Sequence, residues 1–235
     1  MPPEGLKPLE GATINSLVEE VVSNWHLFRR EFPWRNTGNP WHVLVAEILL
    51  LQTDAAKVSV VYPRFIELFP EPCSLLKVDK QVLEGLLKPL GLYRQRADRL
   101  IKLAEYVRDK HACSIPCSYE ELKAMPGVGD YIAAAVCVLA CKCSAPILDT
   151  NIARVLSRVI LGRDPPRRYV YDAALWRLSS MVKWRREPLL AVVDFAAQVC
   201  TSRKPRCEKC PIRGHCAFRK GGSKGLERKL SERGR

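Results

Sequence analysis

No run of this chain stays apolar for longer than about nine residues; Val43–Leu51, with Glu47 inside it, and Ala133–Cys141 are the longest. A bilayer-spanning helix needs roughly 18 or more, so no membrane span is expected. The opening MPPEGLKPLE has no basic start leading into an apolar stretch, so no secretory signal is expected either. A soluble, intracellular protein follows as the expectation. Regular period-two alternation, the mark of exposed strands, is missing, and so is any repeat of fixed period. Acidic residues are the minority charge, with 25 Asp and Glu against 38 Lys and Arg.

What is present begins with core-forming residues. Hydrophobic residues make up 47% of the 235, too many for a disordered chain. That length can bury one large core or two smaller lobes. The excess positive charge is concentrated. Residues 200–235 hold twelve Lys and Arg against Glu208, Glu227 and Glu232, which is nine of the net thirteen charges. Such a basic end suits a phosphate backbone, and it equally suits a solvated tail.

Ten cysteines in a chain expected inside the cell argue for a metal before disulfides. Cys200, Cys207, Cys210 and Cys216 stand apart, spaced C-x6-C-x2-C-x5-C within the basic stretch. Thiolates at such spacings can converge on one soft centre, either zinc or a [4Fe–4S] cluster. Simple zinc sites pair two C-x2-C knuckles, and only Cys207–Cys210 makes one here. Cys73, Cys113, Cys117, Cys137, Cys141 and Cys143 lack comparable spacing, and most are expected to be small core residues.

Periodicity predicts an all-α fold. Ile14, Leu17, Val18, Val21, Val22, Trp25 and Phe28 line one helix face, with Thr13 or Asn15 to cap its start and Pro33 to stop it. Further helices are expected over 41–53, 55–68, 80–89, 93–110, 119–124, 131–141, 151–161, 170–181 and 188–200. The last residues, with Gly221, Gly222 and Gly225, read as a marginally helical basic tail over 220–235.

Two short segments carry chemistry. In Met125-Pro-Gly-Val-Gly-Asp-Tyr131 a short helix stops and another starts at once. Gly127 and Gly129 allow backbone angles and close approach that side chains forbid. The amides of the new helix then point outward with the helix dipole behind them, a phosphate site that reads no sequence, or else a mere connector. Downstream, Asp149 precedes an apolar-periodic helix in Leu148-Asp-Thr-Asn151. By itself it reads as an N-cap; facing a cleft it would be a reactive carboxylate.

The Pro-Gly-Val-Gly hairpin, the downstream aspartate and the four-cysteine pattern, in this order, resemble the helix-hairpin-helix DNA glycosylases with an iron–sulfur loop, the family of endonuclease III and the adenine-mismatch glycosylase. Pro33-Trp-Arg35, Glu47 in Ala-Glu-Ile-Leu-Leu-Leu-Gln-Thr53 and Asp194-Phe-Ala-Ala-Gln-Val-Cys200 resemble the mismatch-glycosylase branch in particular. The resemblance covers about residues 14–218. It implies two helical lobes with DNA in the cleft between them. One is a helical barrel over 31–142 that carries the hairpin at about 119–140. The other, residues 1–30 plus 143–219, holds a [4Fe–4S] cluster on the four cysteines.

The same resemblance implies a monomeric enzyme acting on double-stranded DNA that contains a mismatched or damaged base. The target nucleotide is flipped out, because its glycosidic bond is inaccessible while stacked. Leu51, Gln52 and Leu92 fall where the family places gap-filling side chains; for both leucines ordinary core packing is the competing reading. Gly127, Gly129, Arg203, Lys204 and Arg206 are expected at the backbone. Asp149 would stabilise an oxocarbenium-like sugar and orient or deprotonate water, with Asn151 orienting the carboxylate. Glu47 lies in an apolar helix, where desolvation favours its protonated form; it would recognise the departing base or donate to it, unless it is a buried structural residue. Tyr131 stands where bifunctional members carry the Schiff-base lysine, so the chain is expected to release a base without cutting the strand. That tyrosine resembles the thymine/uracil branch, whereas the adenine branch typically has serine there. Thymine or uracil opposite guanine is therefore expected, with adenine opposite guanine or oxidised guanine as the alternative and a non-catalytic DNA-binding module as a third reading. Asp130, commonly basic or neutral in relatives, puts a carboxylate where phosphate would approach.

Overall fold

The structure, a computed structural model, describes residues 11–221. The tail expected over 220–235 therefore lies almost wholly outside the described residues. Among those residues the fold is helical throughout, with ten α-helices, several 3-10 turns and no strand. None of these helices is long and apolar enough to cross a membrane.

Short polar residues set most helix starts by accepting orphan backbone N–H groups. Asn39 Oδ1 accepts from Trp41 and His42 at 2.9 and 3.3 Å ahead of α2 (Pro40–Leu50). Asp54, Asp79 and Ser118 do the same for α3 (Ala55–Leu68), α4 (Lys80–Leu87) and α6 (Tyr119–Ala124). Asp149 and Asp172 start α8 (Thr150–Leu161) and α9 (Ala173–Met181). The remaining helices are α1 (Gly11–Ser23), α5 (Tyr93–His111), α7 (Asp130–Leu139) and α10 (Arg186–Gln198).

The chain divides into two compact units. One is residues 31–145; the other joins residues 1–30 to 146–235. In the first, α2 packs against α7 and α3, while α5 packs on α4 and on the turn Pro72–Lys77. Helices α2 and α7 are apolar on nearly every face and form the centre of that unit, as helices hydrophobic all round must. In the second, α1 and α8 pack on α10, with α9 against α8 and α1.

Several expectations need correction. The first helix ends at Ser23 instead of running to Pro33, and Trp25–Leu27 forms a separate 3-10 turn. Pro33 opens a turn, Pro33–Asn36. Thr13 and Asn15 lie inside α1. Asn15 Nδ2 donates to Met181 O and its Oδ1 accepts from Lys183 N, both at 2.9 Å, so this amide ties α1 to the end of α9. Helix α2 stops at Leu50 because Gln52 has φ +55. Residues 169–171 form a turn before Asp172 starts α9.

The six cysteines outside the cluster pattern are not mostly core residues. Only Cys137 is buried. They pair as Cys73–Cys113, Cys117–Cys141 and Cys137–Cys143, with Cα separations of 5.6, 5.3 and 5.2 Å, inside the range a disulfide bridges. All three lie in the unit 31–145. Their partners meet because helix ends fold back on one another, which spacing along the chain cannot reveal.

Candidate active site and iron–sulfur loop

Asp149 is both a helix cap and the head of a polar chain. Its Oδ1 accepts from Ile152 N–H and its Oδ2 from Asn151 Nδ2, each at 2.7 Å. Burial pushes its carboxyl above the usual carboxylate range, while these donors and the nearby Arg154 charge pull it down. The orientation of Asn151 follows from its other neighbour, since its Oδ1 accepts from Arg154 Nη2 at 3.0 Å. Arg154 also donates from Nε to Cys200 O at 2.7 Å and from Nη2 to Ala196 O at 2.9 Å. Carboxylate, amide, guanidinium and the first cysteine of the loop thus form one continuous run of hydrogen bonds. Arg154 escaped the sequence reading, because an arginine amid an apolar helix pattern looks like a solvated residue.

Cys200, Cys207, Cys210 and Cys216 are the free cysteines, all partly exposed. They line one pocket with Val159, Phe195, Val199, Pro205 and Phe218, and Arg158 forms part of its wall. Among the described residues no three His, Cys, Asp or Glu side chains stand close enough to hold a single metal ion. Four free thiols around one apolar pocket fit a cluster that takes a thiolate at each corner. Without a cation, burial pushes the Cys210 thiol up to about 12 and raises Cys200 as well. Binding must therefore release protons.

The loop is anchored by Arg158, which is 4% exposed. Its Nη1 donates to Thr201 O at 2.7 Å and lies 3.8 Å from Cys200 Sγ; Nη2 reaches Ser202 O at 2.8 Å and Nε reaches Asp164 at 2.6 Å. Phe218 stacks against its guanidinium. Arg203, Lys204 and Arg206 are exposed around an open depression that Thr201 and Ser202 also line.

In the other unit, Gly127 has φ +78, and a Cβ there would come within 2.9 Å of the Arg99 side chain. Gly129 differs. Its φ of −91 suits any residue and a Cβ would meet nothing, so only Gly127 is required by the turn. Asp130 accepts from Tyr119 Oη at 2.7 Å and pairs with Lys123 at 2.5 Å, which holds its carboxyl below the usual range. Its charge is therefore matched locally, and the expected repulsion of phosphate is reduced. Tyr131 occupies the first turn of α7 and Glu47 is buried in α2.

Gln52 and Leu92 both adopt left-handed backbone, at φ +55 and +49. Gln52 is exposed, Leu51 partly so, and Leu92 is 54% exposed, which removes core packing as the reason for Leu92. One buried side chain holds both turns. Arg96 donates to Ile48, Leu49 and Leu51 carbonyls at 2.9, 3.3 and 2.7 Å, to Gly91 O at 3.1 Å, and to Thr53 Oγ1. Nothing in the sequence distinguishes it from its exposed neighbours Arg94 and Arg99.

The chain as a whole is similar to known proteins. A thymine-DNA glycosylase of Aeropyrum pernix is 36% identical over 89% of this chain and 97% of its own length. A thymine/uracil-DNA glycosylase of Pyrobaculum aerophilum is 38% identical over 85% and 90%. An adenine DNA glycosylase of Mycobacterium tuberculosis also matches, at 34% over 82% of this chain but 64% of that protein. The solved structure of a thermostable thymine-DNA glycosylase superposes with a TM-score of 0.80 at 31% identity, covering 88% of this chain and 96% of that one. Residues 200–216 match the iron–sulfur binding domain of endonuclease III, so the cofactor of this loop is an iron–sulfur cluster. Residues 45–184 match a single family model, and by that match the chain belongs to the HhH-GPD superfamily of base excision DNA repair proteins.

Proposed function

We propose that this chain is a monofunctional DNA glycosylase that hydrolyses the bond between deoxyribose and a flipped thymine or uracil opposite guanine. The observation that carries the reading is the Asp149 carboxylate, fixed by Asn151 and Ile152 and only partly open to solvent. Rupture of the glycosidic bond leaves positive charge on the sugar. A carboxylate held in a poorly hydrated place stabilises that charge and can take a proton from the attacking water. Glu47, buried in an apolar helix, donates to or recognises the departing base. Tyr131 has no amine with which to attack the sugar, so the product is an abasic site and no Schiff base forms. The thymine and thymine/uracil names of the relatives support this base choice.

Cys200, Cys207, Cys210 and Cys216 hold the [4Fe–4S] cluster. When bound, it supplies a redox-active centre that also cross-links the loop at four points. Arg203, Lys204 and Arg206 meet phosphates of double-stranded DNA, and the hairpin amides after Gly127 meet others. The chain acts as a monomer in this reading. Adenine release is the second reading, favoured by the mycobacterial relative. Labelled duplexes bearing T·G, U·G, A·G and A·oxidised-G, assayed with and without hot alkali, decide between them. Alkali-dependent cleavage at T or U supports the proposal; cleavage only at A overturns its specificity. Cleavage without alkali overturns the monofunctional assignment.

A further inference from the structure

The hairpin of α6 and α7 is itself anionic. Residues 119–131 hold Glu120, Glu121 and Asp130 against Lys123 alone. Lys123 is committed to Asp130 at 2.5 Å, and Tyr119 Oη donates to the same carboxylate at 2.7 Å. The outward amides at a helix start carry only partial charge, about half a unit in sum. With its own side chains alone, this turn would repel a phosphate more than attract it. A cation has to reach it from another element.

Helix α5 supplies one. A Cβ at Gly127 would lie 2.9, 3.0 and 3.1 Å from Arg99 Cγ, Cδ and Nε. Three successive atoms at nearly one distance mean that the side chain lies along the turn and does not end on it, so the guanidinium is carried past the glycine. Arg99 is exposed, and its guanidinium makes no ion pair or hydrogen bond among the described residues. Its acidic neighbour Asp98 is taken by Lys80 at 2.5 Å. One turn back, the buried Arg96 donates to carbonyls and a hydroxyl, so it adds a second positive charge without an anion.

We infer that Arg99 is a DNA-backbone contact, its guanidinium pairing with the phosphate that the amides after Gly127 meet. Gly127 then serves twice: it takes φ +78, and it leaves the room in which the Arg99 stem lies. A guanidinium offers a phosphate two parallel N–H donors and adds a full charge to the partial charge of the amides. Because the stem already lies against the turn, little side-chain freedom is lost on binding. The inference rests on the hairpin contact with the backbone proposed above, and not on which base is released.

Its test uses the full chain and a duplex with a tetrahydrofuran abasic analogue opposite guanine, whose binding requires no base release. Arg99→Met keeps an unbranched stem beside Gly127 and removes the charge. It should reduce the slope of log affinity against log salt by about 0.9, the value for one phosphate, and so weaken binding about eightfold at about 0.1 M salt. Arg99→Lys should keep the parental slope, and both variants should keep the parental thermal midpoint. A scan with single uncharged methylphosphonate linkages then finds the partner. At one linkage the parent should lose about as much affinity as Arg99→Met has lost, while Arg99→Met loses nothing further there. Gly127→Ala, whose methyl would take the place of the stem, should also stop responding to that linkage. Identical scans for the parent and Arg99→Met overturn the inference, as does an unchanged slope in Arg99→Met or a reduced one in Arg99→Lys. A linkage that Arg99→Met ignores and Gly127→Ala still needs overturns the shared site at the hairpin. Were the parent to release no base from any duplex, the glycosylase reading would fail while these binding results still judged Arg99.

Discussion

The two units share buried guanidiniums that donate to carbonyls but differ in their cysteines. Residues 31–145 carry three disulfides and bury two charged side chains, Glu47 and Arg96. The other unit has no disulfide among its described residues; it keeps four free thiols and buries Arg154, Arg158 and Asp194 with Ser157 and Ser179. A cluster needs reduced cysteines, so covalent bridges are kept away from the loop that must remain unpaired. There, buried guanidiniums fix the backbone by donating to carbonyls. That choice is riskier, because removing one partner strands a charge, but it places cations beside the thiols and near the Asp149 carboxylate.

The comparison breaks most sharply at Asp149. If Asp149 acts as proposed, Asp149→Asn should lower single-turnover base release by about a hundredfold or more, since it removes the charge that would stabilise the sugar cation. Urea unfolding should shift by about 1 kcal/mol or less, the scale of a helix cap. Because burial raises this carboxyl, the folded state holds its proton to higher pH than the unfolded chain does. Asp149 then contributes least to stability where it is ionised, and the acid limb of kcat/KM should lie above the ordinary aspartate range near 3.9. An activity plateau extending down through that range would count against Asp149 as the working carboxylate.

Asp194 tests the ionic unit. It is fully buried and accepts from Trp25 Nε1 at 2.9 Å, Arg30 N at 3.1 Å and Arg30 Nε at 2.6 Å. Asp194→Ala should cost about 3–5 kcal/mol in urea unfolding. A loss under 1 kcal/mol would show that this unit does not lean on its buried charges.

The disulfides test the other unit. Opening Cys117–Cys141, which closes a separation of 24 residues around the hairpin, should cost about 3 kcal/mol. Six thiols should become titratable on reduction of unfolded, iron-free protein, beyond the four present before it. Iron content of the folded protein should be unchanged by mild reductant. Ten thiols before reduction would mean the bridges are absent in solution.

The smallest effect concerns the loop surface. Neutralising Arg203, Lys204 and Arg206 together should reduce the salt slope of DNA affinity by about 0.9 for each phosphate that these side chains no longer neutralise. An unchanged slope would remove these residues from the interface.

Much of this was legible in the sequence, for identifiable reasons. Helix order followed from apolar periodicity, and the cluster loop from cysteines close enough in sequence to share a centre. The cap role of Asp149 could be placed because it is local, whereas its chemical role came only from the family resemblance. What stayed hidden depends on distant chain segments meeting. Cys73 and Cys113 are 40 residues apart. Asn15 reads as a cap until α9 arrives beside it. Arg154 and Arg96 read as surface cations because their partners are backbone carbonyls, which leave no trace in composition.

Arg96 has a mechanical consequence. Its guanidinium spends its donors on two separate turns, 48–53 and 90–92, each with a non-glycine residue in left-handed backbone. Neither turn can relax alone without leaving part of a buried cation unsatisfied. Gln52 and Leu92 are therefore yoked. Displacement of one turn is transmitted to the other through a single planar group, and the pair yields or resists as one part.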